Sequence, residues 1–256
     1  MDFEGKVVVI TGGTSGIGKQ AAIEYANNGA HVVALTVDKE EVVNKALEEI
    51  GHNSIAFHCD VSKSEDVKNA LEKVVERYGK IDIAFNNAGI GPDGVRMPYE
   101  SIVEIDEKTW DLVVDVDMKG VFLCLKYELM QMRKQGYGSI INTASIGGYK
   151  MAPGFAAYGP AKAGVIALTE MAALENAAYG IRVNAICPGP TAGTELTNNS
   201  FASDPGQEDG LKEHIIPMKK LATTNEVVNA VMFLSSDCAS HTTGQKIFID
   251  GGMHIA

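Results

Sequence analysis

The stretch Val7-Val8-Val9-Ile10-Thr11-Gly12-Gly13-Thr14-Ser15-Gly16-Ile17-Gly18 decides how the chain is read. Its β-branched run, ending in glycines, has the signature of a short buried strand. Helical periodicity begins at Ile17 and continues to about residue 28. Glycines between strand and helix let the backbone turn sharply and come close to a pyrophosphate. The helix start then offers unpaired N–H groups and the positive end of its dipole. The turn is therefore expected to hold a dinucleotide, through Gly12, Thr14, Ser15, Gly16, Ile17 and Gly18.

The alternation continues outward from this unit. Apolar runs at 31–36, 54–58, 81–85, 139–143, 182–186 and 246–249 read as strands. Between them, 39–50, 63–78, 109–135, 156–179 and 225–236 read as helices. Short continuous apolar strands alternating with helices predict an α/β fold, a doubly wound parallel sheet covered on both faces. No composition shift marks a boundary, so residues 1–256 read as a single domain. Two stretches are irregular, 90–104 and about 189–217. The second carries turn signals throughout and reads as a lid over a substrate.

Hydrophobic residues make up 45% of the 256 and charged residues 21%, which excludes a disordered chain. Lys plus Arg number 22 against 33 Asp plus Glu, a net charge of −11. That surplus repels phosphate backbones and anionic membranes, so neither nucleic acid nor a membrane is an expected partner. Cys59, Cys124, Cys187 and Cys238 are widely separated, and no Cys/His cluster has metal-binding spacing, so no metal is expected. The chain shows neither a membrane-length apolar run nor a signal peptide, and a cytoplasmic location is the expectation.

Further motifs follow in order. Asp60-Val61 comes after the third strand and Asn86-Asn87-Ala88-Gly89 after the fourth. Ser145 ends the fifth, and Tyr158-Gly159-Pro160-Ala161-Lys162 opens the next helix. Arg182-Val183-Asn184 and Pro188-Gly189 complete the set. Together with the TGxxxGxG spacing of the first turn, this order resembles the classical short-chain dehydrogenase/reductase family over nearly the whole chain. The resemblance implies a Rossmann-type fold and an NAD(P)(H) cofactor. It also implies cofactor contacts from Thr36, Asp60, Val61, Asn87, Ala88, Gly89, Tyr158, Lys162, Pro188, Gly189 and Thr191. A homotetramer built on the helices at 109–135 and 156–179 is implied as well.

Tyr158 and Lys162, one turn apart, share a helix face. A free tyrosine, with a pKa of about 10, is a poor acid or base near neutrality, and an ammonium one turn away is expected to lower that value. The Ser145 hydroxyl can polarise a carbonyl or alcohol oxygen. The resemblance implies that Tyr158 gives or takes the proton, Ser145 holds the substrate oxygen and Lys162 also holds the nicotinamide ribose. Pro160 is tolerable only if the helix starts close to Tyr158. One position departs from the family: Asp117, in Asp117-Met118-Lys119-Gly120-Val121-Phe122, stands where the family usually has an Asn that holds a water linking the lysine to solvent. Its charge is expected to raise the lysine pKa.

An acid at the end of the second strand favours NAD, and a nearby Arg favours NADP. Thr36 and Val37 occupy those positions and are neutral. Lys39 lies within reach of a 2′-phosphate and Asp38 argues the other way; the balance tips to NADP(H). The expected reaction interconverts a secondary alcohol and a ketone, both small molecules. Ile146, Gly147, Gly148, Tyr149, Phe155, Met97, Met151 and Met218, with the two irregular stretches, are expected to line the pocket. No cluster of Arg or Lys marks a phosphate- or CoA-bearing substrate. Two other functions share these features, a dinucleotide-sensing binding protein and a C=C or imine reductase.

Overall fold

The computed structural model describes residues 1–51 and 54–256. Seven strands form one parallel sheet: β1 (Val7–Thr11), β2 (His31–Thr36), β3 (Ser54–His58), β4 (Ile83–Asn86), β5 (Gly138–Thr143), β6 (Ile181–Pro188) and β9 (Lys246–Ile249). Their order is β3-β2-β1-β4-β5-β6-β9. The chain leaves β1 toward β2 on one side and later returns to β4 on the other. The strand order therefore reverses beside β1, and a crevice opens there at the carboxyl ends.

Alternation along β1 builds two cores. Val8 and Ile10 face α1 (Gly16–Asn27), α2 (Glu40–Ile50) and α9 (Thr224–Ser235), meeting Ala21, Tyr25, Ala46 and Val228. Val7 and Val9 face α3 (Ser64–Tyr78), α5 (Gly120–Gln135) and α6 (Tyr158–Asn176), meeting Val67, Val74, Leu125 and Val165. A sheet covered on both faces needs strands apolar at every position, which explains the continuous runs.

The stretch expected as one helix over 109–135 is divided. An α-helix, α4 (Glu107–Val114), passes through a π-helical turn at Asp115–Lys119 into α5. Asp106 caps α4, its carboxylate accepting from Lys108 N and Thr109 N. The helix expected over 156–179 begins at Tyr158, which puts Pro160 in its first turn, where the missing N–H costs nothing. The region at 189–217 is more regular than expected. It holds β7 (Thr191–Ala192), paired with β8 (Ala222–Thr223), then α7 (Glu195–Ser203), a short α8 (Gln207–Gly210) and a π-helical turn at Leu211–Ile215.

A chain of polar groups crosses the second core. Glu128, on α5, is 1% exposed and accepts from Asn86 Nδ2 at 3.0 Å. The same nitrogen donates to Asn142 Oδ1 at 3.0 Å, and Asn142 Nδ2 donates to Thr169 Oγ1 at 2.9 Å. Asn86 Oδ1 is buried without a partner.

Candidate active site

The turn after β1 is built for close approach. Gly12 has φ +65°, and a Cβ on Gly18 would stand 2.2 Å from the Gly12 carbonyl oxygen. Ser15, the N-cap of α1, makes no side-chain capping bond, so the first-turn N–H groups of Gly16, Ile17 and Gly18 have no cap side chain. Free donors at a helix start beside glycine backbone fit a pyrophosphate. Thr11 Oγ1 accepts from Asn87 N at 2.9 Å and Ala88 N at 3.0 Å, which ties the exit of β4, with Gly89, to the exit of β1.

Thr14 closes a ring with the end of β2. Asp38 N donates to Thr36 Oγ1 at 3.1 Å, the Thr36 and Thr14 hydroxyls lie 3.0 Å apart, and Thr14 Oγ1 donates to Asp38 Oδ2 at 2.6 Å. The Thr36 hydroxyl is thus engaged within the protein, and an acid stands over the glycine turn. Asp38 is absent from the contact set expected from the sequence. Asp60 turns its carboxylate back to Ser62 N and Ser62 Oγ and pairs with Lys63 at 3.1 Å. Val61 is buried and packs against Gly120. Pro188 ends β6, and Thr191, buried, donates to Gly189 O at 3.0 Å.

The second group lies where β5 meets α6. Lys162, 3% exposed, donates to Thr143 O at 3.2 Å and stands 5.6 Å from the centre of the Tyr158 ring. Asp117, fully buried in the π-helical turn, sets Oδ2 3.2 Å from Lys162 Nζ. Its Oδ1 accepts from Ile90 N at 2.7 Å. The Ser145 hydroxyl accepts from Gly147 N at 3.0 Å. The departure at 117 is therefore a buried ion pair on the lysine of the Tyr-x-x-x-Lys motif.

The electrostatics follow from burial. Desolvation pushes the Tyr158 phenol above its ordinary value; Lys162 and the Ser145 hydroxyl pull it down, and Asp117 pushes it further up. The lysine thus does not lower the phenol below its free value, as the spacing had suggested. Desolvation lowers the Lys162 pKa, but Asp117 and Tyr158 outweigh it and hold the ammonium charged.

The expected pocket lining divides. Phe155 stacks on Tyr99 at 5.8 Å and meets Tyr158 edge-on at 5.7 Å. Met97 is buried with Val113, Ala157 and Ala161 against Tyr158. Gly147 lies against the Tyr158 ring and Phe155. Gly148 instead packs on the backbone of Lys162, and Tyr149 turns to Phe248 and His254. Met151 and Met218 are exposed, Met151 beside Gly159 and Met218 beside Gly251. Leu196 of α7, missing from the expected lining, lies with the Tyr158 ring against Gly91. Among the described residues no group of His, Cys, Asp and Glu could hold a metal ion, and no helix is long and apolar enough to cross a membrane.

A family model described as enoyl-(acyl carrier protein) reductase matches residues 12–254. An uncharacterized oxidoreductase of Thermotoga maritima is 40% identical, with 98% of each chain covered. The crystal structure of levodione reductase superposes with a TM-score of 0.91 at 35% identity, covering 99% of both chains. A 3-ketoacyl-(acyl-carrier-protein) reductase from Brucella melitensis, complexed with NADH, superposes with a TM-score of 0.88 at 32% identity, covering 99% of this chain and 100% of that one.

Proposed function

Because the chain belongs to the classical short-chain dehydrogenase/reductase family, we propose that it interconverts a ketone and a secondary alcohol with a nicotinamide dinucleotide. The observation that carries this reading is the meeting of Ser145, Tyr158 and the buried Lys162–Asp117 pair beside the glycine turn. The cofactor, when bound, supplies or accepts the hydride at the substrate carbon. Gly12, Thr14, Ser15, Gly16, Ile17 and Gly18 would hold its pyrophosphate, and Asn87, Ala88, Gly89, Pro188, Gly189, Thr191, Asp60 and Val61 would supply its other contacts. In reduction the Ser145 hydroxyl donates to the carbonyl oxygen, and the Tyr158 phenol gives that oxygen its proton. In oxidation the Tyr158 phenolate takes the proton back. Lys162, held by Asp117 and Thr143 O, keeps a positive charge beside the ring throughout.

The family model is described as an enoyl reductase, and a C=C reductase remains the second reading. Ser145 beside Tyr158 favours the ketone, because a hydroxyl donor there serves a carbonyl oxygen. Arg96, the cation of the 90–104 loop, is already engaged, pairing with Asp93 at 2.8 Å and Glu195 at 2.7 Å. That favours a free, uncharged small ketone over an acyl group on a phosphate-bearing carrier. The closed ring at Thr14 moves the cofactor reading from NADP(H) toward NAD(H), since the Asp38 carboxylate repels a 2′-phosphate and accepts from a ribose 2′-OH. Exposed Phe122, Met130, Met171 and Leu174 on α5 and α6 support a homotetramer, which sedimentation would measure.

The test is a panel of ketones and activated alkenes, with NADH and NADPH oxidation followed by absorbance. Turnover of ketones, with kcat/KM favouring NADH, supports the reading; turnover of alkenes alone overturns it. Asp38→Asn should reduce the NADH-to-NADPH ratio by about tenfold, roughly 1.4 kcal/mol. An unchanged ratio would remove Asp38 from cofactor choice.

A further inference from the structure

We infer that Asp93 is a positioning residue: its buried carboxylate latches α7 onto the 90–104 loop and so fixes the apolar wall that faces Tyr158. The inference rests on the ketone-reductase reading of that site.

Asp93 is fully buried, although it lies in a loop. Its Oδ1 accepts from Val95 N at 3.0 Å, Arg96 N at 2.7 Å and Met97 N at 3.2 Å, which folds the loop around it. Its Oδ2 accepts from Arg96 Nε at 2.8 Å and, across the gap to α7, from Asn199 Nδ2 at 2.8 Å. Three more contacts span the same gap, one of them from Ser203 Oγ, which donates to Asp93 O at 3.4 Å. Arg96 Nη1 pairs with Glu195 at 2.7 Å, and the Tyr99 hydroxyl lies 2.7 Å from Ser200 Oγ. Burial would raise the Asp93 carboxyl, but hydrogen bonds from Asn199, Arg96 and Val95 outweigh it and hold it well below the usual carboxylate range.

The latch matters because α7 has little else to hold it. Its buried residues are Thr197 and Ser200, both polar, and its apolar Leu196 and Phe201 are only half-buried, so polar contacts carry much of its attachment. Leu196 on this helix lies near Gly91, and a Cβ on Gly91 would stand 3.4 Å from Leu196 Cδ1 and 3.0 Å from the Tyr158 ring. Whatever sets the position of α7 therefore sets the space between Leu196 and the acid–base group. The same loop carries Tyr99, which stacks on Phe155, which in turn meets Tyr158. Asp93 touches neither substrate nor reacting atoms. It acts through the helix it holds.

The experiment replaces the cross-gap donor. Asn199→Asp sets two carboxylates against each other. The double variant Asp93→Asn/Asn199→Asp restores the contact with donor and acceptor exchanged. In it the introduced amide at 93 keeps an oxygen for the three backbone donors and turns its NH2 to the carboxylate at 199, and Arg96 Nε, which loses Asp93 Oδ2 as its acceptor, takes that carboxylate instead. Limited proteolysis with cofactor at saturation and ketone KM are measured for wild type and both variants. Asn199→Asp should speed cleavage within 195–206 and raise KM, each on the order of tenfold, as expected for loss of a charge-assisted hydrogen bond. The double variant should return both toward wild type. Cleavage or KM within twofold of wild type in Asn199→Asp, or no recovery in the double variant, would overturn the inference. Cleavage needs no turnover, so a chain that reduces no ketone sinks the proposed function while the latch is judged on cleavage alone.

Discussion

Asp117 and Glu128 are both buried carboxylates, set about three turns apart along one helical stretch. Asp117 faces a cation, Lys162. Glu128 faces a neutral amide, Asn86, and no cation lies within ion-pairing distance of it among the described residues. Burial therefore lifts the Glu128 carboxyl to about 7, with Asn86 opposing the rise. The difference shows what a partner's charge does in a low-dielectric interior. Burial raises the Asp117 carboxyl as well, but there the charge of Lys162 and the Ile90 N–H oppose the rise, whereas an acid facing only an amide becomes a group that holds its proton near neutrality. A protonated Glu128 also carries a donor, and Asn86 Oδ1, on the amide it touches, lacks one.

The widest separation between the two regions should appear in turnover. Tyr158→Phe removes the acid–base oxygen from the Asp117 cluster and should lower kcat by roughly 10²–10⁴. Glu128→Gln should leave kcat within about twofold, because that region touches no reacting atom. Steady-state kinetics on both variants decides it; a comparable loss in Glu128→Gln would erase the contrast.

Stability is the next largest effect, and here the roles reverse. The folded Glu128 carboxyl is raised from 4.5 to about 7, so the unfolded chain releases this proton first as pH rises. Below the unfolded value both states are protonated and the group costs nothing. Between the two values stability falls with pH, and above about 7 the cost is complete, on the order of 3 kcal/mol. Glu128→Gln lacks this cost. Urea denaturation should find the variant closest to wild type, or below it, near pH 4.5, and gaining on it by up to that amount at pH 8. A difference that does not change with pH would mean that Glu128 keeps its charge state on folding.

Asp117→Asn should have a subtler effect. It removes the negative charge that raises both Lys162 and Tyr158. The alkaline limb of alcohol oxidation, where the phenolate must form, should therefore move to lower pH. Ketone reduction, which needs the protonated phenol, should lose activity at a lower pH than in wild type. Profiles of kcat/KM in both directions test this, and limbs that stay in place would reduce Asp117 to a spacer for Lys162.

The strands, the tight turn at the glycines and the shared helix face of Tyr158 and Lys162 are legible because each is local, while Ser145 entered through the family resemblance. A buried parallel strand is apolar at every position, and two residues one turn apart share a face wherever the helix goes. What escaped was tertiary. Glu128 looks like a surface residue of a helix until the fold turns it onto Asn86. Asp38 lies just beyond β2, and only the ring through Thr36 and Thr14 brings it over the turn. The segment Glu-Leu-Thr-Asn-Asn-Ser-Phe-Ala-Ser shows no clear amphipathic period, so α7 was expected as irregular chain. It is capped by Thr194 and held by polar contacts from the 90–104 loop. The π-helical turn left no mark because its residues suit an α-helix equally well.

That turn also sets how the two halves of the stretch are phased. Val113, on α4, belongs to the small apolar group with Met97, Ala157 and Ala161 beside the pocket. Val121, Leu123, Cys124, Leu125 and Met132, on α5, belong to the core beneath the sheet. An uninterrupted α-helix would fix the angle between these two faces by its pitch alone. The wider turn at Asp115–Lys119 resets that angle, so each half meets its own surroundings. The wall near the pocket and the packing that keeps the sheet together are thus carried by separate halves of the stretch, each turned to its own surroundings.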